Sequence, residues 1–578
     1  MSMNRSTTLN LDELDNYISG KCGGKELYFG CWSPEEHDFN VSGKQACYQV
    51  EKGKNWLALR NGADQIDGLL FPKTTDADPE LIIFRGYLSE SALHSYSNPK
   101  RVKEYWSDDL QKRHNGIFSA VRISQGGSEL NIITDIFCLG AIYIRRIGDV
   151  VFFSSTPALL SIETDIPNKS SWFMRLMNGF IPGRETLIEE IELAPEASIT
   201  TYTTHGQKSR KWFDYSNLPE GGEPVKDESF ILSEQFFSSA MKRCQNVHFG
   251  DIILPLSSGY DSRRIFAHLE ENKTLFQTCT VQTLLESGED VEADCATQIT
   301  HDFNIRHKLL KYPSPHQWHE DDIQRIFSMD GQCHDHTWSV PLFTHYHKTA
   351  CCIYDGIGGD VFGFHSQKFK NHVEKIIPHE MPRVLNKALF PDFRTIREKF
   401  VKLKGERRDD YNQGILNFVL WQTRKSSSTW SQQQAKPGHI ILCPYFDLDY
   451  IETMLRFSVK DSEEDRPQKV ILYKFWPKLA SYAGTREMPK SVKNILDKRK
   501  QNNKYSLKRL IAKALKSKRT AQNTYYFFTF PARCALFLSQ YIYLNSLPSW
   551  WLKSAAELLL WWSARPNIIE INHTRDVD

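Results

Sequence analysis

A short apolar run, Ile252–Leu256, meets a turn of small and polar residues, Ser257–Ser262, and a helix-like pattern that runs on to Leu269. After it, strand-like and helix-like stretches alternate. The runs IILPL, LFQTCTV, RHKLLKY and ACCIYDGIGG are separated by segments such as ADCATQITHDF. Alternation of this kind predicts a parallel sheet with helices on both faces. Beyond Phe364 the sequence reads as mainly helical.

The chain before this region has a different character. From Lys25 to about Leu160 it carries short β-branched and aromatic runs, among them KELYFGCW, ELIIFRGYL, IFSAVRI, LNIITDIF and DVVFFSS. Turn residues separate them, which predicts a layered, largely antiparallel β domain with helices between some strands. Asn178–Tyr202 has two proline-marked turns and a final strand, as at a domain edge, and the Pro- and Gly-rich stretch Tyr215–Ser229 reads as a linker. A chain of 578 residues exceeds a single core, and roughly two to four domains are expected. We set the units at 1–214, a linker at 215–229, a second domain at 230–490, and a basic, then aromatic-rich helical extension at 491–578.

Bulk charge narrows the partners. A net charge of +2 demands neither nucleic acid nor an anionic membrane. The N-terminus lacks an apolar h-region and does not resemble a signal peptide. No run reaches the roughly 18–20 apolar residues of a membrane span. The nearest, CALFLSQYIYLNSLPSWWL, is interrupted by Gln540, Asn545 and Pro548 and reads as a buried or an interfacial helix. The 12 cysteines show no C-x-x-C pair or zinc spacing, so reduced thiols in a cytoplasmic protein are expected, without a structural metal. The basic run Lys490–Arg519 reads as either a solvated face or a binding surface.

The joint at Ser257–Ser262 has the order of a phosphate site: strand, Gly-containing turn, helix N-terminus. No Gly-Lys-Ser/Thr follows, so it is not a Walker loop. Asp261 stands inside the turn, where a carboxylate would repel phosphate unless a cation lay between them. That argues for a nucleotide–Mg²⁺ complex, with Ser257, Ser258 and Ser262 as hydroxyl donors. Helix capping is the other use of Asp at such a place.

The stretch LSSGYDS resembles the pyrophosphate loop, Ser-Gly-Gly-x-Asp-Ser, of N-type ATP pyrophosphatases, and within them the asparagine synthetase family. TVQTLLESGEDVEADCA, DGIGGDVFGF, CPYFDLDYIETML and QKVILYKFWP are similar to later motifs of that family, in the same order, so the resemblance runs from about residue 80 to about 480. It implies an α+β, Ntn-hydrolase-like layered β domain of class II glutamine amidotransferase type. An α/β, adenine-nucleotide α-hydrolase-like synthetase domain on a parallel sheet would follow.

It also implies that Leu256, Ser257, Ser258, Gly259, Tyr260, Asp261 and Ser262 hold ATP, with Val281, Asp290, Gly356 and Gly358 around the nucleotide. Asp261 and Asp360 would bind Mg²⁺, Lys469 would offset charge in the transition state, and Pro444 and Asp447 match the family's Pro-Phe-Leu-Asp segment. The chemistry implied is activation of a carboxylate as an acyl-adenylate, then attack by an amine or ammonia to give an amide.

Several residues depart from the family pattern. Glutamine-using members begin with Cys, whereas this chain begins Met-Ser-Met; only processing before Cys22 would expose one. Arg85–Gly86 stands where an Asn-Gly pair helps form the oxyanion hole, so the first domain is expected to lack glutaminase chemistry. Ile357 replaces a Glu near the incoming amine, which points to divergent relatives acting on peptides or surface glycans. Arg263 and Arg264 read as either phosphate contacts or helix-surface charge. Cys333, His334, Asp335 and His336 read as either pocket residues or a polar loop. A non-catalytic scaffold or regulatory binder, and a glutamine-hydrolysing asparagine synthetase, are the alternatives; a homo-oligomer is left open.

Overall fold

The computed structural model describes residues 5–44, 48–62, 80–97, 101–104, 114–181, 183–219, 222–282, 290–311, 315–333, 339–362, 365–366, 430–459, 467–482, 509–515 and 549–573. Within the first 214 residues, two six-stranded antiparallel sheets face each other. One runs in the order Ile191–Leu193, Tyr143–Ile147, Val150–Ser154, Tyr28–Trp32, Trp56–Asn61, Tyr48–Lys52. The other runs Gly206–Lys211, Ser198–Thr203, Glu129–Thr134, Phe118–Ile123, Leu81–Leu88, Leu93–His94. Trp32, Trp56, Ile83, Val121, Ile132 and Phe153 fill the layer between them. The hairpin pairing Ile147 with Val150 closes through Gly148 at φ +59, a left-handed first turn position that suits glycine and matches the strand twist. The layered antiparallel expectation is met.

The second sheet system is parallel, in the order His307–Lys311, Gln277–Gln282, Asp251–Pro255, Cys351–Tyr354, His439–Leu442. Ile252, Ile253, Leu254 and the whole of Cys351–Tyr354 are buried, as strands covered on both faces must be. The order extends one way from Asp251–Pro255 and then returns to place Cys351–Tyr354 on its other side. Such a reversal leaves a crevice at the carboxyl ends of those two strands, where α/β sheets take their ligands. The fifth strand, His439–Leu442, lies within the stretch past Phe364 that reads as mainly helical, where most of the described residues are in helices.

Other segments tie the two sheet systems together. The expected linker is pinned: Glu223–Pro224 pairs with Phe457–Val459, and the following helix starts at Asp227. The strand Arg5–Asn10 is the middle one of three, between Ile569–His573 and Asp38–Ser42. The C-terminal helix Ser549–Ala564 is embedded, with Trp562 edge-on to Trp172 at 5.7 Å. Glu557 on that helix accepts from Arg175 of the first domain and from Arg325 of the helix Pro315–Ser328, all three side chains being fully buried. The rest of the aromatic tail, and the basic run outside 509–515, lie outside the described residues. Among the described residues no helix is long and apolar enough to cross a membrane. The ten described cysteines are all buried thiols, and no disulfide joins any two of them.

Candidate functional site

The first loop leaves the strand Asp251–Pro255 and turns into the helix Tyr260–Glu271. Leu256 is anchored at both of its backbone groups: its N–H donates to Cys279 O at 2.9 Å and its carbonyl accepts from Thr280 Oγ1 at 2.5 Å. Its side chain is core. Ser257 and Ser262 brace the turn, their hydroxyls 3.0 Å apart, and Gly259 N–H donates to Ser257 Oγ at 3.1 Å. The helix opens at Gly259 without a side-chain cap. The positive end of its dipole is thus presented at the carboxyl end of the sheet, next to Tyr260 and Asp261. Gly259, and not Asp261, holds the N-cap position.

The second loop, Asp355–Gly359, leaves the neighbouring strand Cys351–Tyr354 and lies against the first. Gly356 is in contact with it: a Cβ there would lie 3.5 Å from Asp261 Cβ and 3.4 Å from Ser262 N. At Gly359 a Cβ would lie 2.3 Å from Asp261 Cγ, so the carboxylate occupies the space of the missing side chain. Gly358, at φ +90, takes a left-handed conformation close beside Phe446 and Tyr445. Tyr445 Oη donates to the Asp261 carbonyl at 3.2 Å, which fixes the first loop from behind. The sequence motifs around Asp261 and around Asp360 therefore meet in space.

Asp360 follows Gly359 in the short helix Gly359–Phe362, and its side chain lies outside the described residues. Asp355 opens the loop. Its Oδ1 accepts from Ile357 N–H at 3.0 Å and its Oδ2 from Ser431 Oγ at 2.7 Å. Burial pushes this carboxyl up to about 6, against those two hydrogen bonds. Sequence reading gave Asp355 no role; a carboxylate at the end of a buried strand was the available signal.

The remaining predicted residues fall into two groups. Near the loops, Lys469 follows Gln468, whose Nε2 donates to Gly359 O at 3.0 Å, on the helix Pro467–Phe475. Lys469 Nζ lies 5.7 Å from the Tyr473 ring centroid. Val281 is at the carboxyl end of the adjacent strand, half-buried against the core. Asp290 caps the helix Val291–Asp302 through Glu292 N–H at 3.2 Å and Ala293 N–H at 3.5 Å. Ser258 is 3 % exposed, and its carbonyl accepts from Arg263.

The other group is structural. Neither reading of Arg263 and Arg264 holds, because both side chains are fully buried. Arg263 donates to the carbonyls of Leu479 and Tyr482, each at 2.9 Å. Arg264 pairs with Glu234 at 3.1 Å and lies 4.1 Å from the Phe237 ring centroid. Asp447 caps the helix Leu448–Met454 and grips Arg243 with both oxygens, at 2.6 and 2.7 Å, while Pro444 opens a buried 3-10 turn. Cys333 is wholly buried in the core, not in a pocket; His334, Asp335 and His336 lie outside the described residues.

In the antiparallel domain, Cys22 is also wholly buried, and burial pushes its thiol up to about 11. A thiolate nucleophile needs the opposite shift. Nearby, Lys25 is buried with Asp330 at 3.3 Å, and Lys436 Nζ donates to Gly23 O at 2.6 Å. Arg85 is buried and bonded to Glu26 at 3.3 Å; Arg60 reaches the same carboxylate at 2.5 Å. Burial works to raise the Glu26 carboxyl, but the two guanidiniums hold it below its ordinary range. Gly86, at φ +99, touches Ile117 O so closely that any side chain would collide with it.

No family model matches the chain, and no curated protein does. Among solved structures, the chain is similar to glutamine phosphoribosylpyrophosphate amidotransferase from B. subtilis complexed with ADP and GMP. The identity is 10%, over 53% of this chain and 89% of that one, with a TM-score of 0.24. It is also similar to a structure described as the allosteric regulatory enzyme of purine biosynthesis, at 8% identity over 52% and 78% of the two chains, with a TM-score of 0.23. At that degree of superposition the likeness assigns neither activity nor ligand to this chain.

Proposed function

We propose that the chain is an ATP-dependent, AMP-forming carbon–nitrogen ligase whose site lies between the loops Ser257–Ser262 and Asp355–Gly359. The observation that carries this reading is the contact of Asp261 with Gly359 at the carboxyl ends of two adjacent parallel strands. A helix N-terminus, a glycine-lined wall and a carboxylate converge there, as a nucleotide phosphate chain with a divalent cation requires.

In this reading a substrate carboxylate oxygen attacks the α-phosphorus of ATP and pyrophosphate leaves. A nitrogen nucleophile then attacks the acyl carbon, AMP leaves, and the nitrogen loses a proton. Backbone N–H groups of the first loop orient the pyrophosphate, and the bracing hydroxyls of Ser257 and Ser262 keep that turn in shape. Asp261 and Asp360 are the residues that would hold Mg²⁺. When bound, the ion supplies positive charge against the phosphates. Lys469 would add to it from the neighbouring helix.

Ile357 is half-buried against the core and offers no group to bind or deprotonate an amine. We therefore assign the chain to amide formation on a specialised acid, of a peptide or a surface glycan, in a reducing cytoplasmic setting. ATP–pyrophosphate exchange with a panel of carboxylates tests this. Exchange should depend on the acid and fall roughly 10²–10³-fold in Asp261→Ala; exchange that survives that substitution sinks the site.

A second reading, a scaffold or regulatory binder, draws on the burial of Cys22 and the saturation of Arg85 by Glu26 and Gln432. Calorimetry finding no Mg·ATP binding, together with a stable partner complex, would favour it. The same burial of Cys22 weighs against the glutamine-hydrolysing asparagine synthetase alternative.

A further inference from the structure

The antiparallel domain grips one short segment of the parallel system, residues 430–438, immediately before the strand His439–Leu442. Glu26 is the hub of that grip. Its N–H donates to Ala435 O at 2.7 Å, and its carboxylate accepts from Tyr96 Oη at 3.0 Å; Tyr96 Oη in turn accepts from Gly438 N–H at 2.6 Å. Arg85, held on Glu26, donates from Nη2 to Gln432 O at 2.5 Å. A small cavity lies beside these groups, walled by Glu26, Arg85, Gly86, Gly140, Gln432 and Ala435.

The chain of contacts continues from Gln432 to the candidate site. Ser431, the preceding residue, has one hydroxyl proton and two acceptors in range: Asp355 Oδ2 at 2.7 Å and Gln432 Oε1 at 3.0 Å. The shorter contact, to a carboxylate, is the stronger one. The other oxygen of Asp355 takes Ile357 N–H at 3.0 Å and so shapes the first turn of the loop. The loop ends at Gly359, against Asp261, where Gln468 holds the carbonyl at 3.0 Å. Arg85, Ser431, Gln432 and Asp355 are all buried, and hydrogen bonds shielded from water transmit position better than exposed ones.

We propose that Arg85 is a positioning residue: from the antiparallel domain, through Gln432 and Ser431, it sets Asp355 and hence the loop that faces Asp261. The domain expected to lack glutaminase chemistry thereby acquires a definite task, which is to shape the synthetase-like site. The proposal rests on the reading of that loop as half of a nucleotide site.

Two measurements on the full chain keep the two ideas separable. The first is backbone hydrogen exchange in peptides covering Asp355–Phe362, which needs no ligand. The second is affinity for Mg·ATP by calorimetry. In Arg85→Met and in Ser431→Ala, loop exchange should quicken roughly 3–10-fold, the scale of one buried hydrogen bond, and Mg·ATP should bind weaker by a similar factor. Arg85→Lys keeps a charge against Glu26 but loses the guanidinium fork. It should melt like the native chain and still show the fast loop.

A role confined to packing predicts native loop exchange in Arg85→Lys and Ser431→Ala, and that result overturns the proposal. So does unchanged Mg·ATP affinity in variants of a native chain that binds it. If Arg85→Met fails to fold, Ser431→Ala and Arg85→Lys decide. If the native chain binds no Mg·ATP while the variants still loosen the loop, the relay stands and the ligase reading falls.

Discussion

Gly359 has no side chain because the carboxylate of Asp261 stands where one would be: a methyl group there would lie 2.3 Å from Asp261 Cγ. The two residues are 98 positions apart, on loops from two adjacent strands. The contact makes the site sensitive to a change far smaller than removal of the carboxylate.

Gly359→Ala should therefore reduce ATP–pyrophosphate exchange nearly as much as Asp261→Ala, roughly 10²-fold or more. Its cost in stability should be about 1–3 kcal/mol, the scale of overpacking, because a methyl there also lies 2.8 Å from Asp261 Cβ, which moves only with the backbone. Exchange rates alongside denaturant unfolding would show it. Full activity in Gly359→Ala would mean that the position of the Asp261 carboxylate does not matter.

Asp355 gives the site a pH signature. Burial raises its carboxyl to about 6 in the folded chain, above the ordinary value near 3.8 that it has when unfolded. A raised group of this kind stabilises the fold fully below the unfolded value, and the contribution is lost as pH rises through the folded one. Between pH 4.5 and pH 8 the native chain should lose about 2 kcal/mol that Asp355→Asn does not lose. Urea midpoints of both chains at the two pH values measure this. Parallel behaviour of the two would contradict it.

The buried charge cluster on the C-terminal helix is a stability element of the interdomain seam. Glu557→Gln leaves Arg175 and Arg325 in place with one counter-charge fewer, Asp322 still 3.1 Å from Arg325. Breaking a buried pair from one side typically costs about 3–5 kcal/mol. Unfolding free energy should fall by that order; a loss within about 1 kcal/mol would show the cluster to be solvated.

Removal of the residues before Cys22 should fail to yield a stable protein. That segment contains the central strand Arg5–Asn10 and a helix whose Leu11, Leu14, Tyr17 and Ile18 are buried. Apolar side chains of this size contribute roughly 1.5–3 kcal/mol each when buried. A chain starting at Cys22 should be insoluble or melt far lower, and intact-mass measurement of the native protein should find residues 1–21 present. Cys22 should react with thiol reagents only on unfolding.

Much of this architecture could be read from the sequence where local chemistry decides it. The strands Asp251–Pro255 and Cys351–Tyr354 are buried apolar runs that end in glycine-bearing turns, and that pattern survives in isolation. The strand His439–Leu442 is four residues long and buried throughout, too short for any period to separate strand from helix. Arg263 and Arg264 read as either phosphate contacts or surface charge because the groups that satisfy them are far off in sequence: Glu234 for one, the carbonyls of Leu479 and Tyr482 for the other. The same holds for Glu557 and for the grip of Glu26 on Ala435. Long-range partners decide whether a charge is buried, and they leave no local mark.

The strand Arg5–Asn10 pairs with Ile569–His573, almost the full length of the 578-residue chain away. On a ribosome adding roughly 5–20 residues per second, the early strand waits on the order of a minute for its antiparallel neighbour. Until then Asp38–Ser42 is its one strand partner among the described residues, and its other edge is open. Closure of the three-stranded sheet thus waits until Ile569–His573 has been made. A nascent chain stalled before Ile569 would carry an exposed sheet edge even with both larger sheet systems already formed.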